Sequence, residues 1–232
     1  MAASVAYIIN DLVDTKQDGL HPFKKQRPLA SGQVKTVAAL AMLLILLLLT
    51  AVFVFKFIPE LNLLISGYLI LNLFYSLLIK NWPIFDILTI PVFYLFRIAA
   101  GAWPVAIQPS GWLVLCTIFL ALFLIIGKRK AESNYNDHRS VLKHYPPQLL
   151  DQLLLISLTL ALISYSIYTV LVLKSLPAIL SIFFVMLGLF RYLSLTHQPT
   201  KIEYIEKIIF SDKIIAISIF FWVINIYLVL YK

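Results

Sequence analysis

Three aspartates and an asparagine lie close together near the amino terminus: Asn10, Asp11, Asp14 and Asp18. They follow directly on the apolar run of residues 5–9. If this stretch is helical, the three aspartates share one face, because residues three, four and seven apart are neighbours on a helix. Carboxylates this close repel one another unless a cation lies among them, and oxygen ligands favour Mg²⁺. We therefore predict a magnesium site. The alternative is a solvated helix end with mixed charges.

Basic side chains come next along the chain, among them Lys24 and Arg27. Magnesium held by a few carboxylates usually keeps coordination positions for substrate phosphates. An acidic platform beside several cations therefore suits a diphosphate, whose oxygens would be shared between the metal and the protein. Lys24 and Arg27 could clamp these oxygens, Arg27 in bidentate fashion. The alternative for either residue is that it only sets the membrane topology.

The elements that must position these residues are membrane helices. Hydrophobic residues make up 61% of the 232 residues, charged residues only 13%, and the mean hydropathy is +0.92. A soluble domain carries about a quarter charged residues, whereas apolar runs of the ~20 residues needed to cross a bilayer recur here. Residues 1–9 are predicted to be the tail of a further helix, too short to cross alone. We predict an all-α bundle with seven spans, at 36–56, 61–79, 84–104, 110–127, 150–173, 175–193 and 212–231.

Charged residues are strongly biased to one side of this predicted bundle. Of the 19 Lys and Arg, only Lys56, Lys174 and Lys232 fall on one side, and Arg97 lies within a span. The rest lie on the side that the positive-inside rule makes cytoplasmic. Of the 11 Asp and Glu, only Glu60 falls on the poorly charged side. We therefore predict a multi-pass protein of the plasma (inner) membrane with its chemistry at the cytoplasmic helix ends. Membrane lipids and phosphorylated substrates, rather than nucleic acid, are the expected partners.

The second connection contributes further candidates. Tyr75, Lys80 and Asp86 lie around it, and Arg97 follows about three helical turns after Asp86 on the same predicted span. Ionisable residues within a span are costly and usually face a polar interior. We therefore expect both Asp86 and Arg97 to face inward, whereas Lys80 at a helix end would by default extend toward the membrane surface.

The third connection, 127–147, is dense in cations and has only isolated acids. Its candidate residues are Lys128, Arg129, Glu132 and Arg139. The last connection, 191–213, is amphipathic and is expected to lie on the membrane surface without chemistry. The chain has no glycine-rich nucleotide loop and no nucleophile elbow. The single cysteine, Cys116, excludes an intramolecular disulfide and a cysteine-based zinc site.

One motif resembles the first aspartate-rich motif of the UbiA superfamily of intramembrane prenyltransferases. It reads Asn10-Asp11-x-x-Asp14-x-x-x-Asp18, then His21-Pro22-x-Lys24-x-x-Arg27-Pro28-x-x-x-Gly32. Most members of the superfamily have a second aspartate-rich motif in the third connection. Here that connection reads Gly127-Lys128-Arg129-Lys130-Ala131-Glu132, which resembles the decaprenyl-phosphate phosphoribosyltransferase branch. The stretches 75–80 and 97–101, together with Asp86, also resemble this branch.

This resemblance implies Mg²⁺-dependent transfer of a phosphoribosyl group from phosphoribosyl pyrophosphate to a polyprenyl (decaprenyl-like) phosphate, with release of pyrophosphate. The product would be a lipid precursor for a cell wall or glycan. The implied catalytic residues are Asp11, Asp14 and Asp18, and the implied metal ligands are Asn10, Asp14 and Asp18. Lys128 and Arg129 would take the separate 5-phosphate. The full implied substrate set is Lys24, Arg27, Tyr75, Lys80, Asp86, Arg97, Lys128, Arg129, Glu132 and Arg139.

The superfamily resemblance also implies nine spans in a single UbiA-like domain. We expect residues 1–232 to form one such domain in which the first helix and most of the second are missing before Met1. Two other functions stay open. One is transfer of a prenyl group from a prenyl diphosphate to an aromatic or other acceptor, and the other is an inactive or polyprenyl-binding membrane protein. A homo-oligomer is also left open.

Overall fold

A computed structural model describes residues 1–20, 24–133, 140–197 and 211–231. Within these ranges every regular element is helical, which confirms the predicted all-α class. The α-helices are α1 (Ala2–Leu20), α2 (Thr36–Phe57), α3 (Asn62–Leu77), α4 (Phe85–Ala102), α5 (Gly111–Ser133), α6 (Pro147–Tyr168), α7 (Leu176–Thr196) and α8 (Lys213–Leu230).

Six helical segments in the described part of the chain are long and apolar enough to cross a membrane. They correspond to α2 through α7, with short flanking turns included for three of them. The seventh predicted span corresponds to α8, whose apolar stretch Lys213–Val229 is shorter than the other six. At ~1.5 Å per residue such a helix falls a little short of a ~30 Å hydrocarbon layer. With six helices of membrane-crossing length among the described residues, the chain is a multi-pass membrane protein.

Two predicted boundaries were wrong. Helix α1 does not end near residue 9 but continues to Leu20, so the aspartates lie on a helix rather than in a loop. Helix α5 does not end at Gly127 but continues to Ser133. Lys, Arg, Ala and Glu are all good helix formers, so the polar sequence after Gly127 extends α5 instead of ending it.

The chain divides into two compact units. One is formed by Met1–Gln108 with the short 3₁₀ turn Ser140–His144, and the other contains α5 to α8. The core of the first unit includes Tyr68, Tyr75 and Phe93. The two tyrosine rings meet Phe93 edge to face, at centroid distances of 5.8 and 5.6 Å. This cluster joins α3 to α4, and Ala6 of α1 belongs to it. The prediction of one domain stays a prediction.

In the second unit, α5 packs along α6, and α7 packs along α8. Phe123, Leu150 and Leu154 are fully buried there. A hydrogen-bonded chain of polar groups also links helices in this unit. The Trp222 indole N–H donates to the Tyr165 hydroxyl at 2.7 Å, and that hydroxyl lies 2.7 Å from Ser181 Oγ. Inside an apolar bundle such bonds satisfy polar groups that would otherwise be costly to bury.

Candidate functional site

The three aspartates share one face of α1, as predicted. Asp14 and Asp18 are buried, whereas Val13 and Leu20 elsewhere on the helix are exposed. The Asp11 side chain is about one-third exposed. We call Asn10, Asp11, Asp14 and Asp18 the acidic face of α1. Burial of two of its carboxylates argues against the alternative of a solvated helix end.

Arg27 bridges two members of the acidic face. Its Nη1 donates to Asp11 Oδ1 and to Asp18 Oδ2, each at 2.9 Å. The Arg27 backbone is held in a turn, because its N–H donates to the Lys24 carbonyl at 2.9 Å. Arg27 therefore does more than set topology. One of its nitrogens lies directly between two carboxylates.

Lys80 neutralises the remaining aspartate. It lies in the 3₁₀ turn Ile79–Asn81 after α3, and its Nζ donates to Asp14 Oδ1. Both side chains are nearly inaccessible, at 5% and 9% exposure. The expectation that Lys80 extends toward the membrane surface was wrong, because the buried Asp14 carboxylate draws its ammonium inward. Nearby, Ser76 Oγ lies 3.5 Å from Asn10 Oδ1, so the end of α3 meets the acidic face at two points.

Burial raises the pKa of the Asp11 carboxyl above its ordinary value. The neighbouring Asp18 and Asp14 carboxylates raise it too, and the charge of Arg27 offsets only part of this. Ionisation of Asp11 on the acidic face therefore costs free energy. A cation in contact with Asp11 stabilises its charged form.

The other predicted residues of this unit lie beside α4. Asp86, in the first turn of α4, is fully buried as predicted, and the Tyr75 hydroxyl lies 3.5 Å from its backbone carbonyl. Arg97 is exposed, unlike Asp86, and the prediction that it faces a polar interior stays a prediction. Its guanidinium lies over the Tyr94 ring at 5.3 Å and donates to the Tyr68 hydroxyl at 3.3 Å. A long side chain on an aromatic ring satisfies its charge at the surface of the helix.

The second unit carries the predicted basic residues at the end of α5. We call Lys128, Arg129 and Lys130 the basic end of α5. Arg129 is only 1% exposed, and its Nη1 donates to Glu132 at 2.6 Å. Lys130 donates to Asp151 of α6. Lys128 is the most accessible of the three cations, with intermediate exposure. Arg139, predicted to bind substrate, lies outside the described residues, as do His21 and Pro22.

Comparison with known proteins decides the family. The model of the UbiA prenyltransferase family matches residues 1–229. This chain belongs to that family. It is 33% identical over 132 residues to a decaprenyl-phosphate phosphoribosyltransferase of Mycobacterium tuberculosis, an alignment that covers 57% of this chain and 44% of the relative. A protein of the same name from Corynebacterium glutamicum is 30% identical over 173 residues, covering 72% of this chain and 52% of the relative. The chain thus spans about half the length of these relatives.

Solved structures agree with the UbiA fold. A UbiA homologue from Archaeoglobus fulgidus bound to DMAPP and Mg²⁺ superposes with a TM-score of 0.66 at 16% identity, covering 97% of this chain and 84% of the homologue. The same homologue bound to GPP and Mg²⁺ gives 0.67 at 17% identity with the same coverage. At this level of identity the likeness establishes the fold.

The acidic face of this UbiA chain is the candidate for a divalent metal site. Its donors are oxygens, the ligands that Mg²⁺ prefers. Arg27 already places one positive charge between Asp11 and Asp18, so this pair accepts a shared cation. Within the described ranges no three Asp, Glu, His or Cys side chains converge on one point as a metal would require. The donor set fits a metal, and a bound metal would have to draw these carboxylates together.

Sequence reasoning missed two residues that hold the basic end of α5. The Tyr192 hydroxyl of α7 donates to the Leu124 carbonyl at 3.1 Å. A Cβ on Gly127 would lie 2.7 Å from that hydroxyl oxygen, so only glycine lets Tyr192 approach α5 this closely. An isolated glycine inside a helical pattern, directly before the basic residues, was the available signal. The second missed residue is Asp151, the partner of Lys130.

Proposed function

We propose that this UbiA-family protein transfers a phosphoribosyl group from phosphoribosyl pyrophosphate to a polyprenyl phosphate. The observation that carries the proposal is the contrast between the two helix ends. The acidic face of α1 suits a metal-bound diphosphate. A second acidic motif would bind another metal ion for a prenyl diphosphate, but in its place α5 ends in Lys128, Arg129 and Lys130. The names of the relatives at 30–33% identity support the same reaction.

In this proposal Asn10, Asp14 and Asp18 would hold Mg²⁺. When bound, Mg²⁺ would neutralise the diphosphate and make it a better leaving group. Lys24 and Arg27 would bind diphosphate oxygens by charge-assisted hydrogen bonds. An oxygen of the lipid phosphate attacks the anomeric carbon of the ribose, and the bond from that carbon to the pyrophosphate oxygen breaks. The protein contributes binding and orientation, and the reaction requires no nucleophile from the protein.

The basic end of α5 is assigned the donor's separate 5-phosphate. Lys128 is the more accessible cation, so we expect it to make the main contact. Arg129 is fixed by Glu132 and would add a second, less mobile charge. A simple prenyl diphosphate has no separate phosphate for these residues to bind. We assign this chemistry to the cytoplasmic side of the plasma membrane. The predicted bias of positive charge to one side of the membrane supports the cytoplasmic location.

The direct test is turnover of the protein in lipid nanodiscs. Phosphoribosyl pyrophosphate labelled in the ribose is supplied with decaprenyl phosphate, and lipid-linked label and free pyrophosphate are measured. We expect both products to appear with Mg²⁺ and to disappear with EDTA. Glu60→Gln, an acid on the opposite predicted side, should retain them. Formation of neither product in the presence of Mg²⁺ would contradict the proposal.

The second candidate is a prenyltransferase, which the structures of the homologue bound to DMAPP or GPP with Mg²⁺ favour. Competition between the two donors separates the candidates. Under the phosphoribosyl proposal, phosphoribosyl pyrophosphate displaces a labelled prenyl diphosphate at far lower concentration than the reverse. Tighter binding of the prenyl diphosphate would favour the prenyltransferase. Metal-independent behaviour with no turnover on either donor would favour a non-enzymatic membrane protein.

A further inference from the structure

Arg27 occupies an unusual position for a residue expected to hold phosphate. A single nitrogen, Nη1, lies 2.9 Å from one oxygen of Asp11 and 2.9 Å from one oxygen of Asp18. These aspartates are two turns apart on α1, so both side chains lean toward a common point. That point is where a cation shared by the two carboxylates would lie. In this state Arg27 is a partner of the carboxylates.

We infer that Arg27 is a built-in counter-ion, which blocks the acidic face to bare metal and leaves it only when a metal and a diphosphate arrive together. This inference rests on the proposed function and adds an order to its binding steps. Metal without diphosphate would have to displace Arg27 with no compensation. Metal with diphosphate offers the displaced guanidinium a new anionic partner.

The electrostatics of the site require this competition. A divalent ion held by Asn10, Asp14 and Asp18 would bring its charge against the guanidinium already bound to Asp18, and two neighbouring cations repel strongly. Removing the guanidinium without a new partner would also forfeit two charge-assisted hydrogen bonds. Diphosphate oxygens replace those bonds. Metal and diphosphate therefore each improve the binding of the other, and by linkage the two improvements are equal.

The two counter-ions of the acidic face differ in their freedom to move. The Lys80–Asp14 pair is nearly inaccessible, so displacing Lys80 would leave the Asp14 carboxylate buried without its partner. The Arg27 side chain is 33% exposed and extends from a short turn. Its backbone can stay in place while the long side chain changes rotamer. Of the two cations, Arg27 is the one that can leave the acidic face by a side-chain movement alone.

The test measures binding of Mn²⁺, a paramagnetic stand-in for Mg²⁺, to the full chain in nanodiscs by loss of the free-ion EPR signal. Titrations are run with and without pyrophosphate. Wild type should bind bare Mn²⁺ weakly and gain strongly from pyrophosphate. Arg27→Gln should bind bare Mn²⁺ tighter by roughly 5- to 150-fold, the usual range of coupling between sites, and should lose most of the gain from pyrophosphate.

Two variants guard against trivial explanations. Lys16→Gln removes an exposed positive charge from the same helix and should change bare Mn²⁺ affinity much less than Arg27→Gln does. Arg27→Lys keeps a cation at the position and should keep bare Mn²⁺ binding weak. A thermal unfolding curve for each variant shows that the chain is still folded.

Bare Mn²⁺ affinity that is unchanged or lower in Arg27→Gln overturns the inference, and so does an equal gain in Lys16→Gln. In either case metal-dependent binding of pyrophosphate would leave the proposed function standing. Absence of pyrophosphate binding in wild type at every Mn²⁺ concentration would instead contradict the proposed function and the inference together.

Discussion

The acidic face of α1 and the basic end of α5 are both groups of like charge on a helix, but they are neutralised in different ways. Asp14 is paired with Lys80, 66 residues away, and Asp11 and Asp18 share Arg27 from beyond the end of α1. Arg129 is paired with Glu132, three residues along the same helix. The acidic face depends on tertiary structure for its counter-ions, whereas Arg129 at the basic end has a counter-ion on its own helix.

This difference shows which ion pairs connect separate elements of the fold. Removing one partner of a buried pair leaves an uncompensated charge, which is far more damaging than losing an exposed pair. At the acidic face such a loss also detaches one element from another. At the basic end, the Arg129–Glu132 pair lies within α5, and the Lys130–Asp151 pair joins α5 to α6.

The largest expected effect comes from Lys80→Met, which leaves the Asp14 carboxylate buried without its partner. Loss of one partner of a buried ion pair costs about 3–5 kcal/mol. The double variant Asp14→Asn/Lys80→Met should recover much of this, because no charge is then left alone. Urea unfolding in detergent micelles measures both. Equal stability of wild type and Lys80→Met would show that the acidic face does not depend on its distant counter-ion.

Lys128→Ala sharpens the functional side of the comparison. It should weaken phosphoribosyl pyrophosphate by ~1.5–3 kcal/mol, about ten- to hundredfold, because one charge-assisted contact to the 5-phosphate is lost. Binding of free pyrophosphate should change little. Adding Arg129→Ala should increase the effect on the donor, but it also removes the Arg129–Glu132 ion pair. The exposed Lys143→Ala is the matched control. Equal losses for both ligands would refute the assignment of the 5-phosphate to α5.

Gly127→Ala probes how tightly α7 holds the basic end. The new Cβ would lie 2.7 Å from the Tyr192 hydroxyl oxygen, so the Tyr192 ring or the helices that hold it must shift. Overpacking of this kind costs about 1–3 kcal/mol. Gly111→Ala on the same helix meets nothing within 4 Å and serves as control. Thermal unfolding of the two variants should differ clearly. If both variants unfold at the same temperature as wild type, the close approach of Tyr192 does not affect stability.

The smallest expected effect concerns Asp212, which caps α8. Its carboxylate accepts hydrogen bonds from Arg191 at 2.8 Å and from the N–H groups of Ile214 and Ile215. The Arg191 hydrogen bond holds the pKa of Asp212 below its usual value of 3.8. Because the folded pKa is depressed, the stabilisation is fully present above pH ~4, the ordinary pKa of an aspartate. It is lost as the pH falls through the folded pKa.

Asp212→Asn keeps the cap and removes only the charge, since asparagine caps helices as well as aspartate. We expect it to destabilise the protein by about 1 kcal/mol or less near pH 7, because this ion pair is partly exposed. The difference from wild type should shrink in acid and vanish below the folded pKa. A difference that stays constant with pH would show that the charge of Asp212 is not what matters.

The sequence predicted most of the helices because apolar runs of membrane length are a strong signal. It also predicted the acidic face, since the spacing of Asp11, Asp14 and Asp18 needs only a helix. It did not predict which cations meet these acids, because the Lys80–Asp14 contact joins residues 66 positions apart. The burial of Asp86 followed from its place on a span. The exposure of Arg97 did not, because it depends on the aromatic rings around it.

The most direct test of the acidic face as a metal–diphosphate site is the affinity for phosphoribosyl pyrophosphate, measured with Mg²⁺ and again with EDTA. The variant to compare with wild type is Asp14→Asn/Lys80→Met, which removes a proposed ligand without leaving a buried charge, with Lys80→Met alone as the reference. The account predicts that Mg²⁺ strengthens binding to wild type and to Lys80→Met by at least about tenfold, ~1.4 kcal/mol, and hardly at all to the double variant. An undiminished gain from Mg²⁺ in the double variant would contradict it.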